Sequence, residues 1–242
     1  MRFGFSAAAI AACGVMVGCG SSPATIGNTR DGGVDDGTSG LQPEGHDTNP
    51  DGIAYPTRNL GYSARGVDAN GKPKKVPGNV IRNYKFMGYP MGDRSKGLQT
   101  VALADFFDPD GKNFTIIHIA AAGVWCTPCN QETDALVPLV PGLAKKGVVF
   151  VQALAEGTVE NVAATSTDLD RWMDAHHTNF TEVLDPLEKS LGLFWDTNVL
   201  PWNADIDART MEVLASGTGY EEPAANVQRW LDWQATNPPA QF

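Results

Sequence analysis

Hydrophobic residues are not spread evenly along the chain. Phe3–Val17 is an almost unbroken apolar run of about fifteen residues. From Gly20 to about Pro56 the chain is polar, rich in Gly, Asp, Ser, Thr and Pro, with almost no apolar periodicity. From about Leu60 the pattern becomes that of a folded domain. Val80–Tyr89 alternates in part, as a strand does, and Leu98–Asn113 gives a short apolar piece followed by an Asp-Pro-Asp-Gly turn. Phe114–Ala122 is a nearly continuous apolar run, which reads as a central strand buried on both faces. After it, Leu136, Val137, Leu139, Val140 and Leu143 keep rough helical spacing. Pro138 and Pro141 should kink or divide that helix, and Gly147 ends it. Val148–Leu154 predicts a second buried strand, Ser166–His176 a helix with Leu169, Trp172 and Met173 on one face, and Phe180–Asp185 a third strand. A short helix is expected at Leu187–Phe194. Two strands flank an Asp-Ala-Arg-Thr turn between Pro201 and Gly217, and a closing helix runs over Pro223–Ala235. Helices and strands alternate, then a hairpin and a helix follow, which predicts an α/β sandwich with a mixed sheet.

Charge narrows the function. The net charge is −10 and the pI about 4.7, which argues against nucleic-acid binding, since a polyanion needs a basic patch. Lys72–Lys75 holds three lysines around a proline and reads as a solvated loop. The Asp-Gly pairs before Pro56 raise calcium, but no D-x-[DN]-x-[DN]-G loop ending in Glu is present. That segment lacks the apolar surface to offset its ordering entropy, and reads as a flexible acidic tether.

The N-terminal run is too short for a comfortable transmembrane helix. With Met1–Arg2 before it, it has the shape of a secretory signal. It ends V-M-V-G-C-G-S-S-P, which resembles a bacterial lipoprotein signal. The resemblance implies cleavage before Cys19 and lipidation of that residue. Met16 stands where Leu is commonest. Cys13, after Ile10-Ala-Ala, also fits the pattern but leaves a very short hydrophobic run. The expected organisation is a signal over 1–18, a tether over 19–56 and a folded domain over 57–242. The expected location is the bacterial cell envelope, on the membrane through the lipid anchor and facing the periplasm or exterior.

Four cysteines occur, and Cys13 and Cys19 belong to the N-terminal segment. Cys126 and Cys129 are left for the domain. They form a redox pair, half a metal site or a structural disulfide. A zinc site needs four ligands, and a second C-x-x-C or an H-x-x-x-H is missing, so no metal is expected, and no cofactor. Placement favours the redox pair. A buried strand delivers the chain to Cys126 at or just before the first turn of a helix, where free N–H groups and the positive dipole end favour an anion. A thiolate is that anion, so the thiol becomes nucleophilic. Cys129 lies one helical turn on, within disulfide distance. Pro128 pre-sets helical backbone, and Trp125 shields the pair and flanks the entry surface. The implied chemistry is thiol–disulfide exchange.

W-C-T-P-C after a buried strand resembles the thioredoxin fold, a three-layer α/β/α sandwich. The fuller G-V-W-C-T-P-C-N-Q-E resembles its TlpA/ResA-like branch, across roughly Asn79–Trp233. The resemblance implies that Cys126 is the nucleophile and Cys129 the resolving thiol. It makes Glu132 the acidic residue that helps proton transfer, against its reading as a solvated first-turn Glu. It implies a cis Leu200–Pro201 bond facing the disulfide, and a client surface of Trp125, Thr127, Pro128, Leu200, Pro201 and Trp202. Its partners are client proteins with thiols or disulfides, on which the chain is expected to act as a reductase, and an upstream redox partner. Ala120 stands where thioredoxins carry a buried Asp, which shifts weight to Glu132 or water. His118 reads as a packed core histidine, His176 and His177 as surface residues, and Trp172, Trp195, Trp230 and Trp233 as core. Three rivals remain. A peroxidase of the peroxiredoxin kind needs a P-x-x-x-T-x-x-C loop that is not here. A copper-binding protein of this fold wants wider Cys spacing and a later His. A non-enzymatic lipoprotein would keep the pair as a structural disulfide.

Overall fold

The computed structural model describes residues 46–57, 62–220 and 222–237. The signal, both of its cysteines (Cys13 and Cys19) and most of the tether lie outside the described residues. In chain order the elements are β1 (Lys85–Tyr89), β2 (Gln99–Ala102), β3 (Ile116–Gly123), α1 (Thr127–Leu136), α2 (Val140–Ala144), β4 (Val148–Glu156), α3 (Ser166–His176), β5 (Thr181–Leu184), β6 (Trp202–Asp207), β7 (Glu212–Thr218) and α4 (Pro223–Thr236). They form one seven-stranded sheet in the order β2-β1-β5-β4-β3-β6-β7. β3, β4 and β5 run parallel, while β6, β7, β1 and β2 pair antiparallel to their neighbours. This is a mixed α/β sheet, as the alternating pattern predicts.

β3 and β4 are buried at every position, which is why they read as unbroken apolar runs. Alternation still sorts their side chains. Ile117, Ile119, Val149 and Val151 enter one hydrophobic cluster, and Ile116, Val148 and Phe150 another. Successive strand residues point to opposite faces, so the sheet is covered on both sides. Leu136, Val140, Leu143, Val227 and Trp230 from α1, α2 and α4 close the second cluster. The first is closed in part by the turn at Leu103–Phe106 and by Leu191.

The long helix expected after β3 is divided, α1 ending at Leu136 ahead of Pro138 and α2 resuming at Val140. Gly147, at φ 81°, then turns the chain into β4 in a conformation open to glycine. The short helix expected at Leu187–Phe194 is two 3-10 turns, Pro186–Glu188 and Leu191–Leu193. Leu187 and Glu188 adopt left-handed backbone, at φ 54° and 52°, which breaks helical continuation.

The tether was expected to run through Pro56, but its described part is packed. Asn49 Oδ1 accepts the N–H groups of Asp51 (3.1 Å) and Ile53 (2.8 Å), and its Nδ2 donates to Phe107 O at 3.0 Å. Tyr55 packs edge-on against Phe107 and donates its hydroxyl to Ile81 O at 2.9 Å. One aromatic anchor and one Asn-centred turn suffice to dock a stretch whose composition alone reads as linker. Among the described residues no helix is long and apolar enough to cross a membrane.

Candidate active site

β3 ends at Gly123, and the chain turns at once into α1. Val124 N–H and Trp125 N–H donate to Glu156 O (2.9 Å) and Gly157 O (3.2 Å), which ties the turn to the end of β4. Cys126 is the N-cap of α1, with extended backbone at φ −77° and ψ 106°. Its N–H donates to Gly123 O at 3.1 Å, and its Sγ accepts Cys129 N–H at 3.2 Å. Cys126 and Cys129 are joined by a disulfide, their Cα atoms 5.3 Å apart. On reduction the same N–H would meet a thiolate at Cys126, and a charged acceptor makes the stronger bond. The expected helix-start placement of Cys126 is therefore present, with Pro128 in the first turn of α1.

Each expected site residue has a definite place. Thr127 and Pro128 are exposed, and Trp125 is half-buried. Trp125 donates its indole Nε1–H to Glu156 Oε2. The Leu200–Pro201 peptide is cis. β6 begins directly after it, with Trp202 in register with Ala121 of β3, so the bond lies at the sheet end that carries Cys126. A Cβ on Gly123 would lie 3.0 Å from Trp125 Nε1 and 3.3 Å from Leu200 Cδ1. Glycine there lets Leu200 and Trp125 close over the strand end.

Trp202, expected among the residues that meet a client, is buried. It is 1% exposed, stacked on Trp195 with centroids 4.8 Å apart and tilted against Phe194 at 5.2 Å. Position two after Leu200 starts a strand buried throughout, and the indole turns inward with it. This aromatic group forms one wall of a cleft of about 300 Å³, lined by Phe194, Trp195 and Trp202 together with Val199 and Thr218. Val199 and Leu193 are exposed near it.

Glu132 is not solvated: it is 2% exposed and sits one helical turn beyond Cys129. Asn203 Nδ2 donates to its Oε2 at 3.1 Å. Asn203 pairs across the sheet with Ala120, the position where a buried Asp was looked for. His118 pairs with Asp205 two residues on, Nδ1 to Oδ1 at 2.9 Å, both deep in the sheet.

Sequence reasoning missed three polar residues around the pair. Asn130 donates its amide to Cys126 O (2.7 Å) and Val124 O (3.2 Å). Thr133 donates to Cys129 O at 2.9 Å. His176, read as a surface residue, is 9% exposed and contacts Asn130 and Asp134, whereas His177 is exposed. No local motif marks Asn203 or His176. They meet the site only through strand pairing and helix packing.

Glu156, the acceptor of the Trp125 indole, lies near two further carboxyl groups, Glu188 and Asp185. Burial, then the nearby Glu156 and Asp185 carboxylates, push the Glu188 carboxyl up to about 8. Asp185 is raised by burial, although it accepts the N–H groups of Ser190 (2.9 Å) and Leu191 (2.8 Å). Among the described residues no group of three or more His, Cys, Asp or Glu is placed to hold a metal ion.

No protein-family model matches the chain, and no curated protein matches it. Solved structures similar to it include one described as a thiol:disulfide interchange protein DsbE from Chlorobium tepidum. It is 18% identical, at TM-score 0.49, over 65% of this chain and 96% of that one. A 2-Cys peroxiredoxin from Plasmodium vivax is 17% identical, at TM-score 0.49, over 66% and 96%. A secreted thiol-disulfide isomerase from Corynebacterium glutamicum is 15% identical, at TM-score 0.47, over 74% and 95%. Likeness at this level says nothing of activity. The chain's own topology carries the assignment: three parallel strands, an antiparallel β6–β7 hairpin and a helix, a disulfide opening α1, and a cis-proline opening β6. The fold is thioredoxin-like α/β.

Proposed function

We propose that the protein is a thiol–disulfide oxidoreductase that works outside the cytoplasm and reduces the disulfides of client proteins. One observation carries the reading. Cys126 caps α1 with its Sγ on the Cys129 N–H, and the cis Leu200–Pro201 bond lies at the same end of the sheet. In the reduced protein the Cys126 thiolate attacks one sulfur of a client disulfide, and the other client sulfur leaves as a thiolate. The Cys129 thiolate then attacks Cys126 Sγ. The client's second thiolate leaves, and the Cys126–Cys129 disulfide forms. The client gains two electrons, which an upstream thiol partner must return. Glu132, one turn beyond Cys129, exchanges the proton of the resolving thiol. Thr127, Pro128, Trp125 and the Leu200–Pro201 backbone form the client's contact surface. The lipoprotein-like N-terminus supports an envelope location, where disulfides persist.

A second reading has one observation in its favour. Cys126 and Cys129 are each only 1% exposed, as in a structural disulfide of a non-enzymatic protein. A Cys129→Ser variant separates the two. It should accumulate mixed disulfides through Cys126 with an unfolded disulfide-containing protein, visible as adducts that dithiothreitol releases. A variant that forms no adduct supports the structural disulfide.

A further inference from the structure

α3 faces the active-site helix with Trp172 and His176, one helical turn apart, their ring centroids 4.2 Å apart and their planes tilted by 53°. From each, hydrogen bonds run to the carbonyl oxygen of one cysteine. Trp172 Nε1–H donates to Gln152 Oε1 (2.9 Å), Gln152 Nε2 donates to Thr133 Oγ1 (2.8 Å), and Thr133 donates to Cys129 O (2.9 Å). The second chain starts at His176, whose Nε2 lies 3.1 Å from Asn130 Oδ1. The Asn130 amide group donates to Cys126 O and Val124 O. Those two carbonyls fix the amide orientation, so its oxygen faces the imidazole and Nε2 carries the hydrogen. His176 Nδ1 lies 2.7 Å from Asp134 Oδ1. Oxygen acceptors stand at both ring nitrogens.

We propose that His176 is a positioning residue for Cys126. Through Asn130 it fixes the Val124–Cys126 turn and so holds Cys126 Sγ on the Cys129 N–H at the start of α1. The inference rests on the exchange reading above. Val124, Trp125 and Cys126 are the last residues before the helix, and Asn130 grips the carbonyls of Val124 and Cys126 from within it. Without His176, the Asn130 side chain loses the donor that anchors its oxygen to α3, and the turn it grips can swing away from the helix end. The thiolate then loses part of its stabilisation.

The test is the rate of Cys126 alkylation against pH in the reduced full chain, resolved by peptide mass spectrometry. The parent is compared with His176→Ala, His176→Gln and Asn130→Ala. His176→Ala and Asn130→Ala should each lower the thiolate fraction below the midpoint by about three- to tenfold, the equivalent of one hydrogen bond. His176→Gln keeps a donor towards Asn130 and should recover most of the difference. If His176→Ala does not fold, Asn130→Ala makes the same test. Parent-like profiles in the variants, with only a lower melting temperature, would overturn the inference and leave the exchange reading standing. A parent Cys126 with no reactive thiolate would overturn both.

Discussion

Asn203 of β6 donates its side-chain amide to the carboxyl group of Glu132 on α1, at 3.1 Å, in a site where both residues are buried. The bond fixes an acidic group one turn beyond Cys129. It also occupies the sheet position opposite Ala120, so the polar function sits on the neighbouring strand rather than on β3.

Glu132→Gln keeps the shape and a partner for Asn203 but removes the exchangeable proton. It should lower the rate of client reduction by about a hundredfold, the lower end of the range for general acid–base catalysis. Stability should change little. Asn203→Ala should instead destabilise the fold by about 1–3 kcal/mol, because it removes a donor from a buried carboxyl group. Reduction rates and urea unfolding, measured on both variants, check the division.

Trp202 behaves as core. Its indole is stacked on Trp195 and closed in by Phe194. Trp202→Ala should cost about 3–5 kcal/mol in urea unfolding, as for other buried aromatic truncations. A small loss of stability with a large loss of exchange would return Trp202 to the client surface.

Glu188 sets an alkaline limit on stability. Its carboxyl is pushed up from an ordinary 4.5 to about 8, first by burial and then by the Glu156 and Asp185 charges. The folded protein keeps a proton that the unfolded chain releases above 4.5, so between these two values folding binds a proton. Stability from this group therefore falls as pH rises from 4.5 through 8. Glu188→Gln should gain in melting temperature over the parent on going from pH 5 to pH 9. A gap that does not widen would contradict the assignment.

Much of this fold is written in the sequence because its central strands are short runs buried on both faces, such as Phe114–Ala122. The Cys126 N-cap was legible as a local consequence of a strand meeting a turn, and the cis-proline through the resemblance to the thioredoxin fold. What was not legible depends on contact between distant segments. Tyr55 reads as linker until Phe107 and Ile81 are beside it. His176 follows a helical pattern that says nothing of Asn130, 46 residues earlier. The adjacent His177, exposed at the helix end, shows how little the residue type alone decides. The turns at Leu187 and Glu188 escape reading because left-handed backbone is unusual for both residue types.

The central claim is that Cys126–Cys129 is a working redox pair. The direct measurement is its reduction potential, by equilibration with glutathione and dithiothreitol buffers, with alkylation of Cys126 followed against pH. The account predicts a potential near the thioredoxin end, about −270 mV, and a Cys126 thiolate forming below about pH 8. A disulfide that resists dithiothreitol, with no reactive thiolate at Cys126, would contradict it.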